Sequence, residues 1–522
     1  MKFQMAENVV IKENRNFIQK AEALKPVLKT TIQRPTQIVK IVQADDTMHG
    51  WKCTKVESAD NLSSKVYGKG ETVIIDFGQH QVGYLSMCIR PVGSPPDAPL
   101  HMRLTFGEMP VEVAEPFSGY DGWISSSWLQ EKTLHIDVLP GVVKLSRRYC
   151  FRYLKIEVLD TSLKYRVAFD DLYCETVTSA DVQKVSLLNH KDLELEKIDR
   201  VSIKTLEDCM QDVFEDGPKR DRRLWLGDLH LQALANYETF QDNDLVKRCL
   251  YLFAAVPNKE GLLSANLFIE PTLIPDDTYL FDYSLLFAST LHDYYLETED
   301  LETLKDLWPT AYRQVELALA RLDDRNILID DPSWWSFIDW NDDLNKQTPS
   351  QGVLIYTLKK VRNLAGILGA EEQSFLTEKI EEVTKATLTH LWDGKKEFFI
   401  SGEEGQVSWA SQIWMVLADI LNLEQNRKLL NQLLENKPSI GMNTPYIYHY
   451  LVEALLIVGQ KDKAVSIIKQ YWGGMINDGA DTFWELYNPD DKEYSPYGSH
   501  LINSYCHAWS CTPTYLIRKY NL

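Results

Sequence analysis

The hydrophobic pattern of this chain changes its period once, near residue 180, and that change restricts the fold more than any other feature. Before it, apolar residues come in short alternating runs. Within Tyr67–Arg90 the run TVIIDFG is followed by a Gly-bearing turn and then VGYLSMCIR. Leu104–Phe106, Leu134–Val138 and Val142–Leu145 continue the pattern, and Tyr149–Leu159 (YCFRYLKIEVL) is the longest run. Alternation bounded by Gly and Pro, here at Gly93–Pro96 and Pro140–Gly141, reads as antiparallel strands. Many short strands of this kind predict a β-sandwich over residues 1–180. After the change, apolar residues recur at helical spacing over 187–210, 228–240, 244–256, 280–297, 301–322, 352–369, 371–393, 408–421, 424–435, 445–459, 461–473 and 499–518. With no strands alternating with these segments, a parallel α/β sheet is disfavoured. With no fixed repeat, a helical solenoid is disfavoured. About a dozen helices in sequential hairpins predict an all-α (α/α)6 toroid over 185–522. Two domains also suit the length, since single cores stop growing near ~250–300 residues.

Charge narrows the function. A formal net charge of −20 opposes binding to nucleic acid, which needs a basic surface, and to anionic membranes. A neutral small molecule is the natural partner. Fourteen Trp and 25 Tyr are many, and most must fill the core; in a sugar enzyme some stack on pyranose faces. No apolar run of ~18 residues is present, so no membrane span is expected. The opening MKFQMAENVVIKENRNF lacks an apolar core of signal-peptide length. The eight Cys have no CxxC pairing, which suits reduced thiols and a cytoplasmic setting. A homodimer is allowed, not required.

The stretch Glu215–His230, EDGPKRDRRLWLGDLH, is the first candidate site. A charge run is usually a solvated loop. Here the charges enter an apolar helical pattern directly, and Trp225 is a large apolar group to leave in water. Carboxylates set among guanidinium groups also tune one another's pKa values. A second cluster, Ser333–Asp343 (SWWSFIDWNDD), is too apolar for a free loop and too acidic for a core. A third, PDDTYLFDY, carries Asp276, Asp277 and Asp282. The carboxylates of either cluster could line a pocket or cap a helix.

The first stretch resembles the catalytic motif of the α-L-rhamnosidases of glycoside hydrolase family 78. Asp216-Gly217-Pro218 stands at the family's Asp-Cys-Pro opening, Arg220 and Asp221 at its Arg and acid, and Trp225-Leu226-Gly227-Asp228 at its Trp-Thr-Gly-Asp close. Two positions depart from the pattern. Gly217 replaces the usual Cys, a change read here as harmless, and Asp221 stands where the family's general acid is usually Glu. The DGPKRDRRLW form resembles a distinct branch of that family. Further along, Thr482, Trp484 and Glu485 match the pattern that carries the family's catalytic base, and His507 falls at its pocket histidine. Asp339-Trp340 resembles the Gly-Asp-Trp pocket segment. IDFGQHQVGYLSM, LTFGE and YCFRYLKIEV resemble the β-sandwich modules preceding the catalytic domain, where Glu108 and His80 either reach a sugar or serve domain packing.

The resemblance implies an (α/α)6 toroid and an inverting two-carboxylate hydrolysis. Asp221 would be the general acid and Glu485 the general base, about 6.5–9.5 Å apart. It implies substrate binding by Asp216, Arg220, Trp225, Asp228, Asp282, Trp335, Asp339, Trp340, Trp484 and His507. Asp221 must stay protonated, so Asp216 and Asp228 are expected to raise its pKa, and the arginines to pair with Asp216, Asp228 or substrate rather than with Asp221. The substrate expected is a small glycoside with terminal L-rhamnose. A same-fold hydrolase or lyase for another deoxysugar or uronic acid, or a sugar-binding protein without catalysis, stays open. No zinc-protease, dinucleotide, phosphate-loop or nucleophile-elbow motif occurs, so neither cofactor nor metal is expected.

Overall fold

The computed structural model describes residues 9–188 and 191–522, so two residues of the segment expected as the first helix of the toroid lie outside the described residues. Nine strands make the first domain: β1 (Lys29–Gln33), β2 (Gln37–Gln43), β3 (Trp51–Ser58), β4 (Thr72–Gly93), β5 (Leu100–Gly107), β6 (Glu131–Ile136), β7 (Gly141–Lys144), β8 (Tyr149–Asp160) and β9 (Tyr165–Thr178). Every pairing between them is antiparallel. The 22-residue β4 is the spine. Its first half pairs with β2 and β8, its second half with β7 and β9. Ile75, Leu85, Met87, Ile89, Phe106, Phe151, Leu154 and Phe169 fill the space between the layers.

β4 corrects the sequence reading. The Gly-bearing turn expected after TVIIDFG is not a hairpin. Asp76 pairs with Tyr153 and Gln81 with Phe151, so residues 77–80 bulge opposite Arg152 alone and the strand continues. The Arg152 guanidinium closes the bulge by donating to both oxygens of Asp76 at 2.9 and 3.1 Å. A bulge re-aims a side chain without ending a strand, and here it turns His80 out of the sandwich toward the helical domain.

Two short helices precede or interrupt the sheet: α1 (Arg15–Ala23) and α2 (Pro110–Ala114). α1 packs on the helical domain, with the Phe17 ring 5.4 Å from Tyr251. Twelve helices follow: α3 (Leu193–Cys209), α4 (Leu226–Tyr237), α5 (Asn243–Ala255), α6 (Phe281–Thr298), α7 (Leu301–Leu319), α8 (Gln347–Leu368), α9 (Glu372–His390), α10 (Trp409–Leu417), α11 (Leu423–Asn436), α12 (Pro445–Ile457), α13 (Lys461–Asn477) and α14 (Pro513–Lys519). α4, α6, α8, α10, α12 and α14 each touch the next, and α14 returns to α4, which closes an inner ring. The others flank it, giving the six-hairpin toroid. Sequence explains the division. All of α4 and α10 is buried, as an inner helix requires. Outer α9 buries only Leu376, Ile380, Val383, Ala386 and Thr387, a single stripe. The ring is fastened where α14 meets α3: Asp199 accepts from Thr514 Oγ1 at 2.6 Å and Arg518 at 2.7 Å.

Eleven of the expected helices lie where the periodicity puts them, within a few residues. The last does not. Of 499–518 only α14 is helical; before it come irregular chain and two 3-10 turns, His500–Ile502 and Ala508–Cys511. The carbonyls of Leu501, Ile502 and Asn503 accept from Lys219 and Arg220 instead of from a following helical turn.

Candidate active site

The site lies at the N-terminal ends of the inner helices. Asp228 sits in the first turn of α4 and Asp282 in that of α6. Three loops close over them: 216–225, 333–344 and 484–507. The first ends in β10 (Leu224–Trp225), which pairs with β11 (Asn266–Phe268), itself paired with β12 (Ile274–Pro275). That small sheet fixes Trp225 just before α4. Gly227 follows because Tyr283 packs there: a Cβ on residue 227 would stand 2.3 Å from the Tyr283 ring.

Loop 216–225 is folded around Asp216. One oxygen of its buried carboxylate accepts from the backbone N–H of Asp221 at 2.9 Å, the other from that of Arg223 at 3.0 Å. This carboxylate was expected on a sugar hydroxyl; it instead shapes the turn that presents Asp221. Gly217 is also more than a harmless replacement. A Cβ there would lie 2.7 Å from the Arg220 carbonyl oxygen and 3.2 Å from that of Cys506. Gly217→Ala is expected to cost about 1–3 kcal/mol through overpacking. Thermal melts read it, and an unchanged melting temperature would show that the loop has slack.

Asp221 and Glu485 stand on either side of one guanidinium. Arg220 Nη2 donates to Glu485 Oε2 at 2.6 Å, and its Nη1 lies 3.9 Å from Asp221 Oδ1. Arg220 was expected to pair with Asp216, Asp228 or substrate; it pairs with the second catalytic candidate. Its Nε donates to Ile502 O at 2.9 Å, and its guanidinium lies 4.2 Å over the Tyr497 ring. Arg222 turns away, to the carbonyls of Pro218 and Arg148. Glu485 receives two more donors, the Tyr497 hydroxyl and, at 3.4 Å, the Ser504 N–H. Tyr497 belongs to no motif in the sequence. Only its spacing after Glu485, on a loop rich in Ser, Pro and Gly, could have drawn attention to it.

Electrostatics separate the acids. Burial raises the Asp221 pKa above the usual carboxylate value, Arg220 and Arg223 oppose the shift, and Glu485 and Asp276 add to it. The direction matches the sequence reading, with burial as the largest cause; Asp216 and Asp228 share the expected charge repulsion with Asp221, which raises their own carboxyls. Asp221 keeps 23% side-chain exposure and so faces the cleft. Burial also raises Asp216 and Asp228. His507 is held well below its ordinary value, first by burial and then by Arg220.

The free polar groups mark where a ligand fits. Asp228 Oδ1, His507 Nδ1, Trp225 Nε1 and Trp340 Nε1 are buried and make no hydrogen bond among the described residues. Asp228 Oδ1 and His507 Nδ1 are 3.5 Å apart. Orphaned buried donors and acceptors are rare and call for an explanation. Here they sit together beside linked aromatic rings: Trp225 touches Tyr283, which meets Phe337, then Trp340 and Tyr497, while Trp509 stacks on Phe337 and meets His507. A wall of aromatic faces with few, placed polar groups is the form of a sugar-sized site.

Other expected binders are occupied elsewhere. Asp282 accepts from the N–H groups of Phe337 at 3.0 Å and Ile338 at 2.9 Å. Asp339, whose pKa burial pushes up to about 6, accepts from Asn443 N at 2.8 Å and Thr444 Oγ1 at 2.6 Å. Both therefore hold the Trp-rich loop. Trp484 is buried between Tyr487 and Tyr505, behind Glu485. Trp335 is half-buried, with Lys346 Nζ 5.2 Å over its ring. Glu108 and His80 reach no sugar; both are fully buried at the domain boundary.

Residues 35–176 match the glycosyl hydrolase family 78 α-rhamnosidase N-terminal domain, and residues 183–520 match the bacterial α-L-rhamnosidase six-hairpin glycosidase domain. The chain belongs to glycoside hydrolase family 78. A rhamnosidase from Klebsiella oxytoca, solved with rhamnose bound, is 49% identical, covering 98% of this chain and 100% of that one with a TM-score of 0.97. The family 78 rhamnosidase of Bacillus sp. GL1 shares the fold at 20% identity and TM-score 0.73, over 91% of this chain and 50% of that one. That of Streptomyces avermitilis, complexed with L-rhamnose, does so at 16% identity and TM-score 0.66, over 95% of this chain and 44% of that one. No curated protein matches the sequence. As a member of family 78, this chain is an α-L-rhamnosidase-like glycoside hydrolase. Among its described residues no helix is long and apolar enough to cross a membrane, and none of its eight cysteines is in a disulfide.

Proposed function

We propose that this enzyme removes terminal L-rhamnose from small glycosides with inversion, in the cytoplasm. Asp221 protonates the glycosidic oxygen as the C1–O bond breaks. Glu485 takes a proton from the water that attacks C1 on the opposite face. The products are free rhamnose and the aglycone alcohol, with Asp221 left ionised and Glu485 protonated until water resets both.

One observation carries this reading. Two carboxyl groups flank the Arg220 guanidinium, and their surroundings differ. The Asp221 carboxylate takes no hydrogen bond among the described residues, and burial raises its pKa, which favours the protonated acid. Glu485 faces only donors, a guanidinium, a phenol and an amide, and a carboxylate suits all three. Inversion requires the two carboxyls about 6.5–9.5 Å apart, with room for a water between them. Asp228, His507, Trp225 and Trp340 supply the unpaired groups for sugar hydroxyls, and the neighbouring rings receive the apolar face and methyl of a deoxysugar. Reduced cysteines support the cytoplasmic setting.

Proton NMR of the enzyme acting on an aryl α-L-rhamnoside tests the proposal. β-rhamnose is expected first, followed by slow mutarotation. Early α-rhamnose would overturn inversion, and no release would overturn the substrate.

A further inference from the structure

Six side chains of alternating charge, five buried and Lys204 half-buried, cross the boundary between the two domains and end at the loop that carries Asp221. Lys204 Nζ of α3 donates to Asp208 Oδ1 at 2.8 Å, and Asp208 Oδ2 lies 2.8 Å from Nδ1 of His80, the residue turned out by the β4 bulge. His80 Nε2 is 2.9 Å from Glu108 Oε1. Glu108 Oε2 lies 3.9 Å from Lys219 Nζ, which donates to Glu112 Oε1 of α2 at 2.5 Å. Glu112 uses its other oxygen on the N–H groups of Glu108 and Met109, at 2.7 and 2.9 Å, and so fixes the turn that carries both acids.

Lys219 is two residues from Asp221. Its ammonium, 1% exposed, also donates to Leu501 O at 3.0 Å and Asn503 O at 2.7 Å, either side of the Ile502 carbonyl that receives Arg220. Glu108 Oε2 accepts from Tyr505 N at 2.9 Å, and Ser504 Oγ donates to Arg220 O at 3.2 Å. Segment 501–505 is thereby clamped to the acid's loop on one side and to the sandwich on the other. Among the described residues, the carboxylates within 4.0 Å of Lys219 are Glu112 and Glu108, both from the sandwich. The carboxylate of Asp221 itself takes no hydrogen bond among them, so the backbone on either side of it sets its place. Glu485, by contrast, is held by three donors of the toroid's own loops.

We propose that Glu112 and Glu108 of the β-sandwich are positioning residues for the Asp221 general acid, acting through Lys219. The inference rests on the assignment of Asp221 made above. Without Glu112, Lys219 keeps only the more distant Glu108 at 3.9 Å, is a buried, undercompensated cation and leaves its pocket. The loop that presents Asp221 then shifts, and Asp221 moves more than Glu485, which keeps the Tyr497 hydroxyl, a donor outside that loop.

Leaving-group dependence tests this. A dinitrophenyl rhamnoside departs without protonation, whereas an alkyl rhamnoside needs the acid. For Glu112→Gln we expect kcat on the alkyl rhamnoside to fall roughly 100-fold, with little change on the dinitrophenyl substrate and an unchanged KM. The double variant Glu112→Gln with Lys219→Met removes both buried charges, so it keeps the fold if the single variant does not, and the same asymmetry is expected of it. Equal losses on both substrates, or none on either, would overturn the proposal and leave a purely structural boundary. A parent enzyme inactive on both substrates would instead overturn the acid–base assignment on which it rests.

Discussion

Glu485→Gln is expected to lower kcat on an aryl rhamnoside roughly 10,000-fold, the upper range for losing a general base, while rhamnose still binds. Gln has the same shape, so Asp228, His507 and the aromatic wall stay in place. What changes is the donor count around residue 485. Arg220 Nη2, the Tyr497 hydroxyl and the Ser504 N–H all point at this side chain. An amide can accept on one atom only, so its NH2 must face either Arg220 and Ser504, which only donate, or the Tyr497 hydroxyl, which would have to turn and accept. Arg220, 5% exposed, loses its charged partner at the same time. Removing one member of a buried ion pair costs about 3–5 kcal/mol, so the melting temperature is expected to fall as well. Kinetics, rhamnose titration by calorimetry and a thermal melt read the three quantities separately. Full activity in Glu485→Gln would defeat the catalytic reading, and equal sugar binding by an inactive parent would favour a binding protein.

Asp221→Asn is expected to remove activity on unactivated rhamnosides roughly 1,000-fold, with a far smaller loss on activated ones. It is also expected to remove the alkaline limb of the pH–rate profile. The sign follows from the shift. The working form of Asp221 is the acid, so the parent's rate falls as pH rises through its elevated pKa, and Asn has no proton to lose. Stability should move the other way from Glu485. Because the folded pKa of Asp221 is raised, its protonated form contributes stability below the unfolded carboxylate value, and that contribution is lost as pH rises through the folded value. Asn carries no such cost. Asp221→Asn is therefore expected to melt at or above the parent at neutral pH, with the difference shrinking on acidification. A variant less stable than the parent at neutral pH, or one that retains the alkaline limb, would contradict the assignment.

The two domains were legible because hydrophobic period survives translation into structure: alternation became strands and three-to-four spacing became helices. The errors lie where backbone partners come from far away. The run TVIIDFGQHQVGYLSM looks like a hairpin, yet β8 pairs across both sides of its Gly and makes one bent strand. Residues 499–512 carry helical spacing, but Lys219 and Arg220 claim their carbonyls. At the site, the order Asp216, Asp221, Asp228, Glu485, His507 could be read along the chain, whereas the duty of each could not. Asp216, Asp282 and Asp339 look like sugar ligands in sequence and turn out to hold backbone amides, because a carboxylate beside a Trp carries no sign of which way it points. Tyr497 and the Glu112–Lys219 pair were invisible for the same reason: each matters only through a partner distant in the chain.

Closure of the inner ring by α14 against α4 has a temporal meaning. Arg220, on the way into the first inner helix, and Glu485, on the way into the last, are 265 residues apart in sequence. During synthesis every hairpin between them must emerge before the two can meet, and contacts of such separation form late. On the proposed mechanism, hydrolysis therefore reports the final event of folding: a chain with all its helices but an open ring would hold an acid and no base, and would be silent.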